Sequence, residues 1–184
     1  MPNWCANSLV LHHEDVNMIE RAVQSFQKEQ FCNEFVPIPE NEKENWYEWC
    51  ISNWGTKWDV GSSQYGIERG NANECKFSFD SAWSPPIQFY EKLEELGFTV
   101  KAMYYEPGMA YCGIYEDGFD DYYEYGDLDS DGVANTIPQE LDEYFCISEQ
   151  LADQEDEEDQ ENLDIDLDDG LSATNEGHEE EENE

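Results

Sequence analysis

The groups through which this chain could do chemistry are three histidines, six cysteines and 46 Asp or Glu residues. His12 and His13 are neighbours, so in a strand they face opposite sides of the sheet and cannot share a metal ion without help from other residues. They read as the edge of a strand, and His178 falls in a C-terminal acidic run. The cysteines (Cys5, Cys32, Cys50, Cys75, Cys112, Cys146) lie 27, 18, 25, 37 and 34 residues apart. No close pair is available to begin a zinc site. In WCANSLVL and YFCI the thiol has apolar neighbours, where it behaves as a small buried hydrophobe. No phosphate-binding glycine loop or nucleophile motif occurs. General acid catalysis needs a carboxyl held neutral in a sheltered cleft, which an abundance of carboxylates does not supply. The expectation is a non-enzymatic protein with no catalytic residue, metal or cofactor.

DLDSDG, 127 to 132, is the most metal-like string. Asp127, Asp129, Asp131 and Gly132 match positions 1, 3, 5 and 6 of a calcium loop, but position 12, where a bidentate Glu belongs, is Pro138. DIDLDDG further on is weaker, because its glycine comes one residue late. Neither string describes a tuned calcium site.

Charge is more informative. The formal net charge is −38, and all eight Lys and Arg lie at or before Lys101. Residues 102–184 hold 30 of the acids and no Lys or Arg, with 17 of those acids in Asp153–Glu184. Such a field repels nucleic-acid phosphates and anionic membranes. It draws in basic partners. The segment from Asp153 onward has too little apolar surface to fold alone. Extended at roughly 3.3 Å per residue it would place one charge per ~6 Å, against one per ~1.7 Å of duplex DNA. A tail that dilute cannot imitate a duplex, so the partner-binding site is expected on a folded acidic face: Glu116, Asp117, Asp120, Asp121, Glu124, Asp127, Asp129 and Asp131. Its partner would be a basic protein of the nucleic-acid-binding enzyme class.

The elements that position these residues follow from periodicity. Trp4 to Leu11 reads as a strand. Val16, Ile19, Ala22, Val23 and Phe26 recur at helical spacing behind a capping Asp15. Trp46, Trp49, Cys50 and Asn53 form a short helix stopped at Gly55. Lys57 to Val60 reads as a strand start, and GSSQYGIERGNANE as a loop. Cys75, Phe77 and Phe79 alternate in a half-buried strand. Ser84 and Pro85 are placed to open a helix carrying Phe89, Leu93 and Leu96, with Gly97 its left-handed stop. FTVKAMYY and MAYCGIY are strands, EDG turns into FDDYYEY, and Leu141, Tyr144, Ile147 and Leu151 suggest a last helix. The order predicts an α+β fold of the ferredoxin-like kind, with a mainly antiparallel sheet and helices on one face. Its domain spans 1–152, with an acidic extension from about 116 that includes a hairpin, and a disordered acidic tail over 153–184.

Three blocks, MPNWCAN, NWGTKWD and AWSPP, resemble the YubB-like group of plasmid- and phage-borne proteins. The resemblance covers residues 1–115 and implies a ferredoxin-like domain and a mobile-element setting; the group has no assigned function. The hairpin and everything after it lie outside the matched motifs. Trp46, Trp49, Trp54, Trp58 and Trp83 are expected to fill the corner between helices and sheet.

Charge and resemblance together predict an inhibitor that mimics nucleic-acid charge to block a host defence enzyme, of the anti-restriction or anti-CRISPR type. The alternative is a structural or adaptor module that docks a protein or small ligand through the Trp-rich corner. A third reading, an RNA platform using Tyr104, Tyr111, Tyr115, Tyr122 and Tyr123, is opposed by the surrounding acids. The N-terminus has neither the basic region nor the apolar run of a signal peptide, and no stretch approaches twenty apolar residues. The expected location is the cytoplasm, that of the host if the gene is carried by a phage, with reduced thiols.

Overall fold

The computed structural model describes residues 3–157 and position 160. Its elements are β1 (Trp4–His12), α1 (Val16–Gln27), α2 (Phe31–Phe35), a 3-10 turn (Glu40–Asn45), α3 (Trp46–Asn53), β2 (Ile67–Asn71) and β3 (Glu74–Ala82). They continue with α4 (Ile87–Glu95), β4 (Thr99–Glu106), β5 (Tyr111–Glu116), β6 (Phe119–Glu124), α5 (Ser130–Thr136) and α6 (Gln139–Phe145). A further helical stretch covers 147–157. The chain divides into two compact units, one ending at Asp127 and the other beginning at Leu128.

The first unit is an α+β assembly around a six-stranded sheet of order β2-β3-β1-β4-β5-β6, antiparallel at every pairing. β1 is central because its alternation buries Cys5, Asn7, Leu9 and Leu11. It pairs with β3 from Trp4↔Ala82 to His12↔Glu74 and with β4 from Ala6↔Tyr105 to His12↔Thr99. The same face continues through Phe77 and Phe79 of β3 and Val100 and Ala102 of β4. It meets Ile19, Val23 and Phe26 of α1, Phe31 of α2, Cys50 of α3, and Phe89 and Leu93 of α4 in one core. α1 is fixed in register by Asp15, whose carboxylate accepts the Asn17 N–H at 2.9 Å.

Four local expectations are corrected. The loop before β3 contains β2, an edge strand whose residues are almost all exposed, so no apolar alternation announces it. Lys57–Val60 forms no strand; its Asp59 side chain instead accepts the backbone N–H groups of Cys32 and Asn33, which ties the segment to α2. α4 begins at Ile87 rather than Pro85, with no side-chain cap; the Ser84 hydroxyl donates instead to the Gly55 carbonyl at 2.6 Å. The last helical pattern is interrupted at Cys146, which takes a left-handed φ of 54° and ends α6.

In the second unit the N-terminus of α5 is closed by Asp129, which accepts from the Gly132 N–H at 2.7 Å. Glu155 accepts from both the Ser130 N–H (2.9 Å) and its hydroxyl (2.7 Å). Residues 153–157 thus continue a helix and contribute a structural carboxylate. The remainder of the expected disordered tail, position 160 apart, lies outside the described residues. Among the described residues no helix is long and apolar enough to cross a membrane.

Candidate functional site: an aromatic and acidic cleft

Interlocking polar contacts among the three tryptophan-bearing blocks build one corner of the first unit. Asn7, on the buried face of β1, donates to the Cys5 carbonyl (2.7 Å) and to the Ser81 hydroxyl (2.8 Å), and accepts from the Tyr90 hydroxyl (3.1 Å). Buried Thr56 donates to the Ala82 carbonyl and accepts from the Ala82 N–H, at 3.0 and 3.1 Å. Ser81 donates to the Ser84 carbonyl at 2.7 Å. The segment after β3 is thereby tied down from both sides. Trp83 sits in it at φ 75°, a left-handed conformation that a bulky residue adopts only when its surroundings force it. Two bonds hold it there: its N–H donates to the Asn3 carbonyl (3.0 Å), and its carbonyl accepts from the Tyr111 hydroxyl (2.7 Å).

This strap forms one wall of a cleft of about 590 Å³, within the usual range for ligand sites. The opposite wall is β6, whose pleat turns Asp120, Tyr122 and Glu124 into the cleft, with Tyr104 and Tyr111 lining it as well. The Tyr104 hydroxyl donates to Asp120 Oδ1 at 2.6 Å, and the Tyr122 hydroxyl to Glu124 Oε1 at 3.2 Å. Partial burial raises the Asp120 carboxyl above its ordinary pKa, and the Tyr104 hydrogen bond pulls it back down. Burial also raises the Tyr104 hydroxyl well above its usual range, so it serves as a neutral donor. None of the residues lining the cleft is a Lys, Arg or His.

Gly113 makes this arrangement possible. It pairs with Tyr104 across β4 and β5, and a Cβ there would run into the Tyr104 phenol. Gly113→Ala should therefore push Tyr104 off Asp120 and destabilise the first unit by ~1–3 kcal/mol, as overpacking does. Urea unfolding read by far-UV circular dichroism checks this, with a lowered midpoint as the expected result.

The eight acids expected on one face are all exposed, but those of β6 do not share a side of the strand. The pleat of β6 sends Asp120 and Glu124 to the cleft side and Asp121 to the other. Glu116 and Asp117 sit at the hairpin turn, where Asp117 and Gly118 both take positive φ. Asp127 closes the first unit, while Asp129 and Asp131 belong to the second. Asp129 is occupied as a helix cap, and the described residues contain no group of His, Cys, Asp and Glu able to hold a metal ion.

The tryptophan corner is corrected too. Trp54 is 3% exposed and Trp49 packs against the core, their rings 5.7 Å apart, edge to face. Trp46, Trp58 and Trp83 are exposed by 39%, 39% and 53% and fill no core. Gly55, at φ 84°, turns the chain directly after Trp54, and Trp54 is buried while Trp58 stays at the surface. Trp58 instead meets Trp4 at 5.9 Å and lies under the Lys57 ammonium at 4.6 Å. His13 is used structurally: its Nδ1 accepts the Asp15 N–H at 2.9 Å, and its Nε2 lies 3.3 Å from the Leu96 carbonyl. Cys5, Cys32, Cys50, Cys75 and Cys112 are buried thiols, and burial pushes Cys5 up to about 12 and Cys50 up to about 11.

The cleft is not among the expectations drawn from the sequence, although part of its signal is present there. In DDYYE, a strand places the first, third and fifth of Asp120 to Glu124 on one side, an acid–aromatic–acid row. That Trp83 comes to face this row depends on the tie-down of the strap, which no local pattern announces.

No protein-family model matches this chain, and no curated protein matches it. Among solved structures it is similar to the crystal structure of the protein api92 from Yersinia pseudotuberculosis, described under the family model DUF1281. The two are 12% identical, with a TM-score of 0.44, over 68% of this chain and 99% of that one.

Proposed function

We propose that this chain is a non-enzymatic acidic inhibitor of a mobile element, acting in the cytoplasm. In this reading it occupies the nucleic-acid-binding surface of a basic defence enzyme of the restriction or CRISPR kind. The observation that carries the reading is the charge distribution: 30 acids and no Lys or Arg after Lys101, with the acids of the β5–β6 hairpin all exposed. Such a surface accelerates encounter with a basic groove and competes with phosphate for it. The motif resemblance to plasmid- and phage-borne proteins supports the setting. A ferredoxin-like scaffold is supported by the strand order β4-β1-β3-β2, with α1 and α4 in the crossover connections.

Spacing argues that the mimicry is one of field rather than of form. β6 carries three acids in six residues, or one per ~7 Å of strand, no denser than the extended tail. The hairpin therefore attracts a basic groove without copying a phosphate ladder. A second reading, an adaptor that docks a ligand through an aromatic site, is favoured by the cleft, although its site differs from the tryptophan corner read from the sequence.

The test uses acids outside the cleft. Asp117→Asn, Asp121→Asn and Asp127→Asn combined should leave the melting curve within about 0.5 kcal/mol of wild type, since these are exposed charges. The triple variant should bind the captured partner more weakly and with a shallower salt dependence, and DNA should displace the wild-type complex. Affinity that ignores salt, DNA and these three changes would transfer the function to the aromatic adaptor.

A further inference from the structure

We propose that the cleft between the Trp83–Pro86 strap and β6 is a binding site for a linear aliphatic triamine. Its terminal ammonium groups would be held by Asp120 and Glu124, and its chain would lie across Tyr122. This site is separate from the outer acids on which the inhibitor reading rests.

The chemistry of the lining selects the ligand. Asp120 and Glu124 lie on one side of a strand, four residues apart, which places their Cα atoms about 13 Å from each other. Side chains standing from the same side of the pleat at that spacing present two separate carboxylates, one for each end of an extended cation. A triamine whose terminal nitrogens are separated by about nine zig-zagged single bonds of ~1.5 Å spans roughly 11 Å. With an ammonium–carboxylate contact at each end, it bridges the pair. Between the acids lies the exposed face of Tyr122, with the Tyr111 ring 5.4 Å from it. Aromatic faces attract ammonium groups and cover the methylene spacers at the same time. Anions meet two carboxylates here with no base to offset them, and an uncharged apolar ligand would desolvate both acids without compensation.

Two features show that the cleft is prepared in advance. Trp83 is held at a strained positive φ by the Asn3 and Tyr111 bonds while its indole stays half exposed at the cleft. A strained, exposed aromatic maintained by specific hydrogen bonds is an arrangement found at ligand clamps. Asp120 is likewise oriented through one oxygen, Oδ1, by the Tyr104 hydroxyl, and its second oxygen has no bond to any described residue.

A chain of net charge −38 gathers polyvalent cations diffusely, so the test separates a site from an atmosphere. Spermidine is titrated into the full chain by calorimetry at physiological ionic strength, with butylamine and Mg²⁺ as comparison probes. One-to-one spermidine binding is expected, with butylamine and Mg²⁺ failing to compete at equal charge. Asp120→Asn with Glu124→Gln should weaken it by roughly tenfold or more, as loss of charge-assisted bonds does. Asp117→Asn with Asp121→Asn, the same charge change outside the cleft, should leave it within about twofold. Glu124→Gln alone, at an exposed position that keeps a hydrogen-bond acceptor, should weaken binding without touching the fold. Equal losses in the cleft and outer variants, or equal binding of butylamine, would overturn the proposal. Loss of partner capture with spermidine binding intact would count against the inhibitor reading alone.

Discussion

Trp54→Ala should destabilise the first unit by ~3–5 kcal/mol, whereas Trp58→Ala, four residues on in the same motif, should cost only about 1 kcal/mol. The contrast follows from what each ring touches. Trp54 is buried in the helix-side core, its Nε1 donates to the Val36 carbonyl at 2.9 Å, and its ring meets Trp49 edge to face. Truncation would leave a large cavity and strand the Val36 carbonyl in it. Trp58 keeps 39% of its surface in water, and its ring contacts with Trp4 and the Lys57 ammonium are worth little at an exposed site. Urea unfolding of both variants, followed by circular dichroism, is the measurement. Comparable losses at the two positions would show that Trp58 carries core packing after all.

That pair also marks where the sequence stops being readable. Elements with one buried face declared themselves. β1, β3 and β4 alternate and α1 repeats at helical spacing, because burial of a single face imposes the period. β2 gives no sign, since only Ile67 packs against the core and its other residues are exposed, so no apolar alternation is selected. The tryptophans misled for a related reason. A Trp announces a large apolar ring, but which way it points is set by backbone turns, here the positive φ of Gly55 and of Trp83. The first is hinted at by the glycine. The second occurs at a residue that ordinarily avoids it, and it depends on Asn3 and Tyr111, some 80 and 28 positions away.

The acids divide in the same way. Their number and their concentration after Lys101 are properties of composition and needed no structure. Their grouping into a face did, because a strand alternates sides. Taking Asp120 and Asp121 together treats neighbours in sequence as neighbours in space, which holds in a turn and fails in a strand. The pleat pairs Asp120 with Glu124 instead and sets Tyr122 between them, so the same residues that looked like bulk charge become two separate anchors beside an aromatic surface.

Asp59→Ala should cost about 3 kcal/mol, although Asp59 looks like a surface charge at the end of NWGTKWD. Its Oδ1 accepts the N–H of Cys32 (2.7 Å) and of Val60 (2.8 Å), and its Oδ2 accepts the N–H of Asn33 (3.0 Å). Cys32 and Asn33 open α2, whose own preceding residue, Gln30, supplies no side-chain cap. The carboxylate therefore caps a helix from 26 residues away in sequence and pins the following loop to it. Burial raises the Asp59 carboxyl above its ordinary pKa while the three amides pull it back, so the charge is tolerated only because those donors surround it. Each bond to a charged acceptor contributes ~1.5–3 kcal/mol, and partial rehydration of the freed amides keeps the total below the sum. Asp59→Asn should fall between alanine and wild type, because its one oxygen replaces two acceptances and its amide then opposes the Asn33 N–H. The ordering is read from urea midpoints at a common slope. A wild-type midpoint for the alanine variant would mean that the α2 amides find other acceptors, and would release Asp59 from its structural role.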